Sequence, residues 1–278
     1  MQLDLWLNSA TQRLVEAGVE AARFEAECLL EHQLKRGRAY FYTYPETQLT
    51  PTQLDQLASD LTRRCQGEPL AWVLGEWSFW GMALAVSPAT LIPRADTEAL
   101  VEQVLALDLP AKAQVIDLGT GTGALALALK KERPAWQVQA VDLIPEAVEL
   151  ARRNALAHQL AVSITVSDWW QAVPAGVFDL IVSNPPYIRA DDPHLEQGDL
   201  RYEPHTALVA AQQGLAAYQQ ILAACDQRLA PQGWLVVEHG YDQAEAVHAL
   251  FVQAGLVQVR SERDWAGQWR ITLGQRAG

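Results

Sequence analysis

Between Leu3 and about Leu70 the apolar residues recur at helical spacing. Leu3, Leu7, Ala10 and Leu14 advance by three and four positions, which keeps them on one face of a helix. Gly18 stops that run, and a second helix is predicted from Ala21 to Leu34, ahead of Gly37. The clearest start is LTPTQL. There Thr50 can cap, Pro51 suits the first helical position, Gln53 completes a capping box and Leu49 can pack on Leu54. Leu54, Leu57 and Leu61 then share a face. After Gly67-Glu68-Pro69 the pattern changes to AWVLGEWSFWGMALAV, two short β-rich runs around Gly81, which predicts a β-hairpin joining two domains.

From Ala113 onward short apolar runs alternate with helical patterns. AQVIDL is followed by a helix to Lys131, VQAVD by a helix from Pro145 to His158, and then come VSITV, FDLIVSN, a helix near Leu215 to Leu229, and WLVVEHG. Runs of this kind are strands buried on both faces of a mainly parallel sheet with helices on either side, so an α/β class is predicted. VQVR and WRITL, separated by a short polar stretch, suit an antiparallel edge hairpin. The domain reading is residues 1–74 helical, 75–92 a hairpin linker, and 93–278 the α/β domain.

Composition narrows the function classes. Half of the 278 residues are hydrophobic and 19% are charged, the balance of a soluble globular protein. MQLDLWLNSA has no cationic stretch ahead of an apolar one, so no secretory signal is expected, and the Ala/Leu run at 124–129 is far shorter than the ~20 residues of a membrane span. A cytoplasmic protein without membrane contact follows. Cys28, Cys65 and Cys225 are odd in number and widely spaced, and the histidines show no ligand spacing; neither a disulfide framework nor a metal site is expected. A net charge of −12 opposes phosphate neutralisation as a source of affinity, which favours a protein or small-molecule partner over nucleic acid.

VIDLGTGTGALALAL reads as a strand, a turn carrying Gly119, Gly121 and Gly123, and a helix. Glycines let backbone N–H groups at a helix N-terminus approach a ligand closely. Gly119, Gly121 and Ala124 also satisfy the dinucleotide pattern, with Asp142 at the distance of a ribose-binding acid, so a nicotinamide or flavin cofactor fits this segment too. Asp117, just before the loop, favours a ligand bearing an ammonium group, as S-adenosylmethionine does. For Asp142 a helix cap before Pro145 is an alternative role.

SNPPYI ends the strand FDLIV with residues that cannot extend a sheet ladder. Asn184 offers one acceptor and two donors, the Pro185 carbonyl adds a fixed acceptor, and Tyr187 can stack on a planar group, so the segment suits an NH2 on an sp2 carbon. Such a nitrogen is a poor nucleophile, and its reaction depends on positioning.

Taken together, DLGTGTGA, Asp142 and NPPY resemble the class I S-adenosylmethionine-dependent methyltransferases that methylate amino and amide nitrogens. Over its whole length the chain is similar to the protein-(glutamine-N5) methyltransferases that modify bacterial peptide-chain release factors, through GEWSFWGMALAV, LIPRADTE (Leu91 to Glu98), EPHTAL (Glu203 to Leu208) and EHG (Glu238 to Gly240). The resemblance implies a Rossmann-like seven-stranded sheet with an antiparallel edge, and methyl transfer to the glutamine of a Gly-Gly-Gln motif, with S-adenosylhomocysteine as product. It implies that Asp117, Gly119, Thr120, Gly121, Thr122 and Gly123 hold the methionine part of the cofactor, Asp142 the ribose, and Trp169 the adenine. It also implies that Asn184, Pro185, Pro186 and Tyr187 hold the glutamine, Asn184 bordering the cofactor as well; a monomer is expected, and the separate domain at residues 1–74 suggests docking of a large protein such as the release factor. The family usually has proline where this chain has Ala95; Arg94, Asp96 and Glu98 are open to a role lining the pocket, and Asp96 or Thr97 could instead cap the helix that runs through Leu100, Val101 and Val104. An adenine-N6 methyltransferase acting on DNA or RNA and a non-catalytic nucleotide-binding module are the alternatives.

Overall fold

In the computed structural model, which describes residues 1–278, the chain forms two units. The first comprises Met1–Glu76 together with Gly198–Tyr202. Its helices are Leu3–Glu16, Ala22–Leu34, Arg38–Thr43, Pro51–Cys65 and Leu70–Leu74, and Leu3, Leu7, Leu14, Leu30, Phe41 and Leu57 are buried in it. The helix at Pro51 starts as its sequence predicts: the Gln53 amide N–H donates to Thr50 Oγ1 at 3.3 Å and the Thr50 N–H to Gln53 Oε1 at 2.9 Å. Residues 198–202 belong here because the Tyr202 hydroxyl donates to the Gln66 carbonyl at 3.1 Å and Asp199 lies 3.9 Å from Arg64.

The second unit contains the hairpin β1 (Glu76–Phe79) and β2 (Met82–Ala85) from Trp77 onward, and a seven-stranded sheet. Trp80 and Gly81 both have positive φ, as a two-residue hairpin turn requires. Phe79, Met82 and Leu84 are part of the unit's core. The sheet strands are β3 (Gln114–Leu118), β4 (Gln137–Asp142), β5 (Ser163–Val166), β6 (Phe178–Ser183), β7 (Leu229–Glu238), β8 (Val257–Arg263) and β9 (Trp269–Gln275). Their order is β5-β4-β3-β6-β7-β9-β8, parallel from β5 to β7, with β9 antiparallel to both its neighbours. Successive residues on a strand serve opposite faces. Val115, Leu180 and Val236 pack on one side with the helix Ala124–Glu132, and Ile116, Ile181 and Leu235 on the other with Tyr218 and Phe251.

The helix expected from Leu215 to Leu229 is broken into Ala216–Leu222 and Cys225–Arg228. Leu229 pairs with Phe178 as the first residue of β7, so the helical run ends at Arg228 and does not include Leu229. No helix is long and apolar enough to cross a membrane.

Candidate active site

Strand order reverses at β3, between β4 on one side and β6 on the other, and the carboxyl ends of strands at such a point frame a ligand crevice. A cleft enclosing about 1010 Å³ of empty space, its open mouth included, occurs there. The turn after β3 forms one wall. Gly119 and Thr120 donate their N–H groups to the Val141 carbonyl at 2.9 Å, and Gly121 donates to Asp142 Oδ2 at 2.8 Å. Gly119 and Gly121 have φ of +75° and +55°. A Cβ at Gly119 would meet no protein atom within 4 Å, and one at Gly121 would meet only Thr90, at 3.9 Å, so the space beside this backbone is open. Gly123 faces elsewhere: a Cβ there would lie 3.2 Å from Leu127 and 3.3 Å from Ala151, which makes it a packing position for the following helix.

Asp117 is 1% exposed. Its Oδ2 accepts from the Thr120 hydroxyl at 2.6 Å and from the Ala126 N–H at 3.3 Å, while Oδ1 has no partner. Burial pushes this carboxyl up to about 7; the two hydrogen bonds pull it down and the Asp142 charge adds to the rise. A buried, unpartnered carboxylate oxygen at a cleft wall is costly unless a cation completes it. An ammonium group on a ligand would do so.

Asp142, at the end of β4, ties the glycine turn to the segment before the next helix without capping that helix, whose N-cap is Ile144. One oxygen accepts from Gly121 in the loop, the other from the Ile144 N–H at 3.0 Å before the helix Pro145–Ala157. Burial raises its carboxyl, opposed by those backbone bonds, and each oxygen keeps a lone pair for a neutral diol. Trp169 lines the cleft in a left-handed conformation, φ +48°, with its carbonyl held by the Ser167 hydroxyl at 2.8 Å. Thr120 and Thr122 are buried on the same wall.

Opposite the glycine turn stands the end of β6, tied to β3 by the Ser183 hydroxyl donating to the Leu118 carbonyl at 2.6 Å. Asn184 and Pro186 line the cleft, on either side of Pro185 in the chain. The Asn184 Nδ2 donates to Thr97 Oγ1 at 3.2 Å, and the Thr97 hydroxyl donates to Glu238 Oε2 at 2.6 Å. Tyr187 packs against the core and points its hydroxyl at Glu238 Oε1, at 3.4 Å. Glu238 is 2% exposed. Burial raises its carboxyl to about 7 and the Asp96 charge adds to this, while the Thr97 and Tyr187 hydroxyls and the Arg270 guanidinium act in the opposite direction.

The residues left open in LIPRADTE find separate partners. Arg94 reaches Glu203 at 2.5 Å, joining that segment to EPHTAL, and the Ile92 N–H donates to the same carboxylate at 2.9 Å. Asp96 lies 3.6 Å from Arg270, and Glu98 accepts the Trp80 N–H at 2.7 Å, supporting the hairpin turn. Ala95 has φ −60° and begins a helix with no side-chain cap, so it adopts the angle proline would impose. Thr97 does not cap, because its hydroxyl is committed to Glu238.

Three further residues have no motif to announce them. Asn154 bridges Ala85 and the glycine turn, accepting the Ala85 N–H at 2.8 Å and donating to the carbonyls of Ala85 at 3.0 Å and Thr122 at 2.9 Å. The Gln243 amide donates to the Tyr187 carbonyl at 2.9 Å. Gly214, φ +85°, passes so close that a Cβ would lie 2.1 Å from that same carbonyl oxygen. A glycine ahead of an apolar helical pattern was the only sequence signal for it.

Comparison with known proteins agrees with this geometry. Residues 6–75 match the family profile of the PrmC N-terminal domain and residues 95–197 that of the methyltransferase small domain. The chain is 50% identical to a release factor glutamine methyltransferase of Salmonella typhimurium, covering 99% of each, and 49% identical over the same shares to one of Escherichia coli. Among solved structures, a methyltransferase from Pyrococcus furiosus superposes with a TM-score of 0.57 at 18% identity, covering 80% of this chain and all of that one, a likeness of fold.

Proposed function

Since the chain belongs to the release factor glutamine methyltransferase family, with its class I methyltransferase fold, we propose that the cleft binds S-adenosylmethionine on the glycine-turn side and a release-factor glutamine on the Asn184 side. The single observation that supports this assignment is a cleft lined by both Asp117, whose Oδ1 is unpartnered, and Asn184. S-adenosylmethionine, when bound, supplies an electrophilic methyl group on sulfonium and leaves as S-adenosylhomocysteine.

Asp117 takes the ammonium of the methionine part, Asp142 the ribose diol, and Trp169 the face of the adenine; the glycine turn admits the ligand close to the backbone. Across the cleft, Asn184 Oδ1 and the Pro185 carbonyl accept the two N–H bonds of the target glutamine and stabilise positive charge as it develops on nitrogen. No strong base is required, because the nitrogen becomes acidic as the C–N bond forms, and its proton passes to water. Holding the amide in line is therefore the main contribution, a kind of effect that reaches roughly 7–11 kcal/mol in well-oriented reactions.

The net charge of −12 supports a protein substrate, acted on by a monomer in the cytoplasm, over a polynucleotide. The helical unit docks the release factor. The test is transfer of labelled methyl from S-adenosylmethionine to purified release factor, to the same factor with the Gly-Gly-Gln glutamine changed to alanine, and to duplex DNA. Label on the intact factor alone is expected; label on the alanine factor or on DNA would overturn the assignment.

A further inference from the structure

A carboxamide has two nearly isosteric ends, and rotation by half a turn exchanges its acceptor for its donors. For Asn184 the choice decides function. The target amide presents N–H donors, so only an Asn184 with Oδ1 toward the cleft is complementary, while the reverse sets donor against donor. Pro185 has no such freedom, since its acceptor is a backbone carbonyl.

The surroundings of Asn184 settle the direction. Glu238, ionised, has only lone pairs to offer, so the Thr97 hydroxyl, 2.6 Å from Oε2, must spend its one hydrogen there. Thr97 Oγ1 is left with lone pairs alone on its other side, where it meets Asn184 Nδ2 at 3.2 Å. An Asn184 turned the other way would put carbonyl oxygen against hydroxyl lone pairs. The pieces are firmly seated. Ser183 pairs with Val237, which brings the ends of β6 and β7 side by side, and Thr97 is 4% exposed in the first turn of the helix Asp96–Leu105. The Tyr218 hydroxyl donates to the Glu238 carbonyl at 3.0 Å.

Glu238 has no cation within ion-pair distance; Arg270 is engaged with Asp96 and Asp264. A buried carboxylate without a paired cation is expensive, and packing alone would be better served by an apolar side chain. We propose that Thr97 and Glu238 are positioning residues that hold the Asn184 NH2 inward and its Oδ1 toward the target nitrogen. This rests on the reading that Asn184 accepts from the glutamine amide.

The experiment is a mutant cycle at pH 8.5, where Glu238 is ionised, measuring kcat on release factor together with the Kd for S-adenosylmethionine and the melting temperature of each variant. Asn184→Ala is expected to lower kcat by roughly 10³-fold, as loss of a charge-stabilising group does. Thr97→Val should lower it by roughly 10²-fold, the scale of a misaligned group, with the cofactor Kd changed by less than about 3-fold. Thr97→Ser keeps the hydroxyl and restores kcat, and adding Thr97→Val to Asn184→Ala costs nothing more. Glu238→Gln keeps the shape but no longer obliges Thr97 to donate, so a fall of about 10-fold is expected; it serves as the second variant should Thr97→Val not fold. A wild-type kcat in Thr97→Val or Glu238→Gln, a Thr97→Ser as slow as Thr97→Val, or the same Thr97→Val loss in both backgrounds would overturn the relay alone. An undiminished kcat in Asn184→Ala would overturn the underlying reading of the site along with it.

Discussion

Asp117 makes binding of a cationic ligand a proton-coupled event. Its carboxyl, pushed up to about 7 by burial, is held mostly protonated in the free protein at pH 6. An ammonium group at Oδ1 favours the ionised form, so binding expels the proton. The competent fraction sets the apparent affinity: the Kd is roughly 2-fold weaker than its plateau at pH 7, about 10-fold weaker at pH 6 and about 100-fold weaker at pH 5. Stability of the free protein runs the other way. A carboxyl whose folded value is raised stabilises the fold fully below its ordinary value of 3.8 and loses that contribution as pH rises through about 7. The groups facing Asp117 are Thr120, the Ala126 N–H and Asp142, and of these only Asp142 also titrates. The assay is titration calorimetry with S-adenosylmethionine at pH 5.5 to 7.5, in buffers of different ionisation enthalpy, on wild type and Asp117→Asn. Proton release approaching one per site at the acid end, absent in Asp117→Asn, is expected. No buffer dependence in wild type, or an unchanged pH slope in Asp117→Asn, would refute the argument.

Two further outcomes follow from the supports behind the site. Gly214→Ala forces a Cβ to within 2.1 Å of the Tyr187 carbonyl oxygen, so the segment bearing Asn184 shifts and kcat should fall by roughly 10²-fold; Gly255→Ala, at φ +81° with nothing within 4 Å, carries the backbone strain alone and should leave kcat unchanged. Asn154→Leu removes three hydrogen bonds, one buried and two part-buried, and strands the backbone groups of Ala85 and Thr122. At about 1–3 kcal/mol for the buried group left unpaired and less for the two part-buried ones, urea unfolding should show a loss of roughly 2–4 kcal/mol, and a loss under about 1 kcal/mol would mean the glycine turn does not depend on this bridge.

The cofactor wall was legible because its parts are close in sequence and tied to a spacing rule: the glycine turn and Asp142 meet across 21 residues. The rhythm of strand and helix announced a parallel sheet, but not that β6 lies beside β3, which is what brings Asn184 to the end of the sheet that carries the glycine turn. Thr97 and Glu238 were visible only as members of segments shared with a family. A threonine at a helix start has a local explanation in capping, and nothing in the sequence says that its hydroxyl turns away to a carboxylate on another strand. The break after Leu222 was hidden for a similar reason. The run from Leu215 to Leu229 has good helix formers throughout, so nothing in its pattern marks Ala223 and Ala224 as a break, and pairing of Leu229 with Phe178 sets only where the run ends. Gly214 escaped because its constraint is the Tyr187 carbonyl, and no spacing rule links the two positions.

The two walls differ in when they become available as the chain is made. The turn-to-Asp142 contact closes 21 residues, whereas Thr97 to Glu238 closes 141, an added closure cost of about 1.7 kcal/mol on the logarithmic scaling of flexible loops. Glu238 is, besides, the last residue of a strand that must enter the sheet beside β6 before it can meet Thr97. A chain still short of residue 238 on the ribosome holds its glycine turn and its Asn184 but has nothing to orient the carboxamide. Methylating competence thus arrives late in synthesis, with the C-terminal strands.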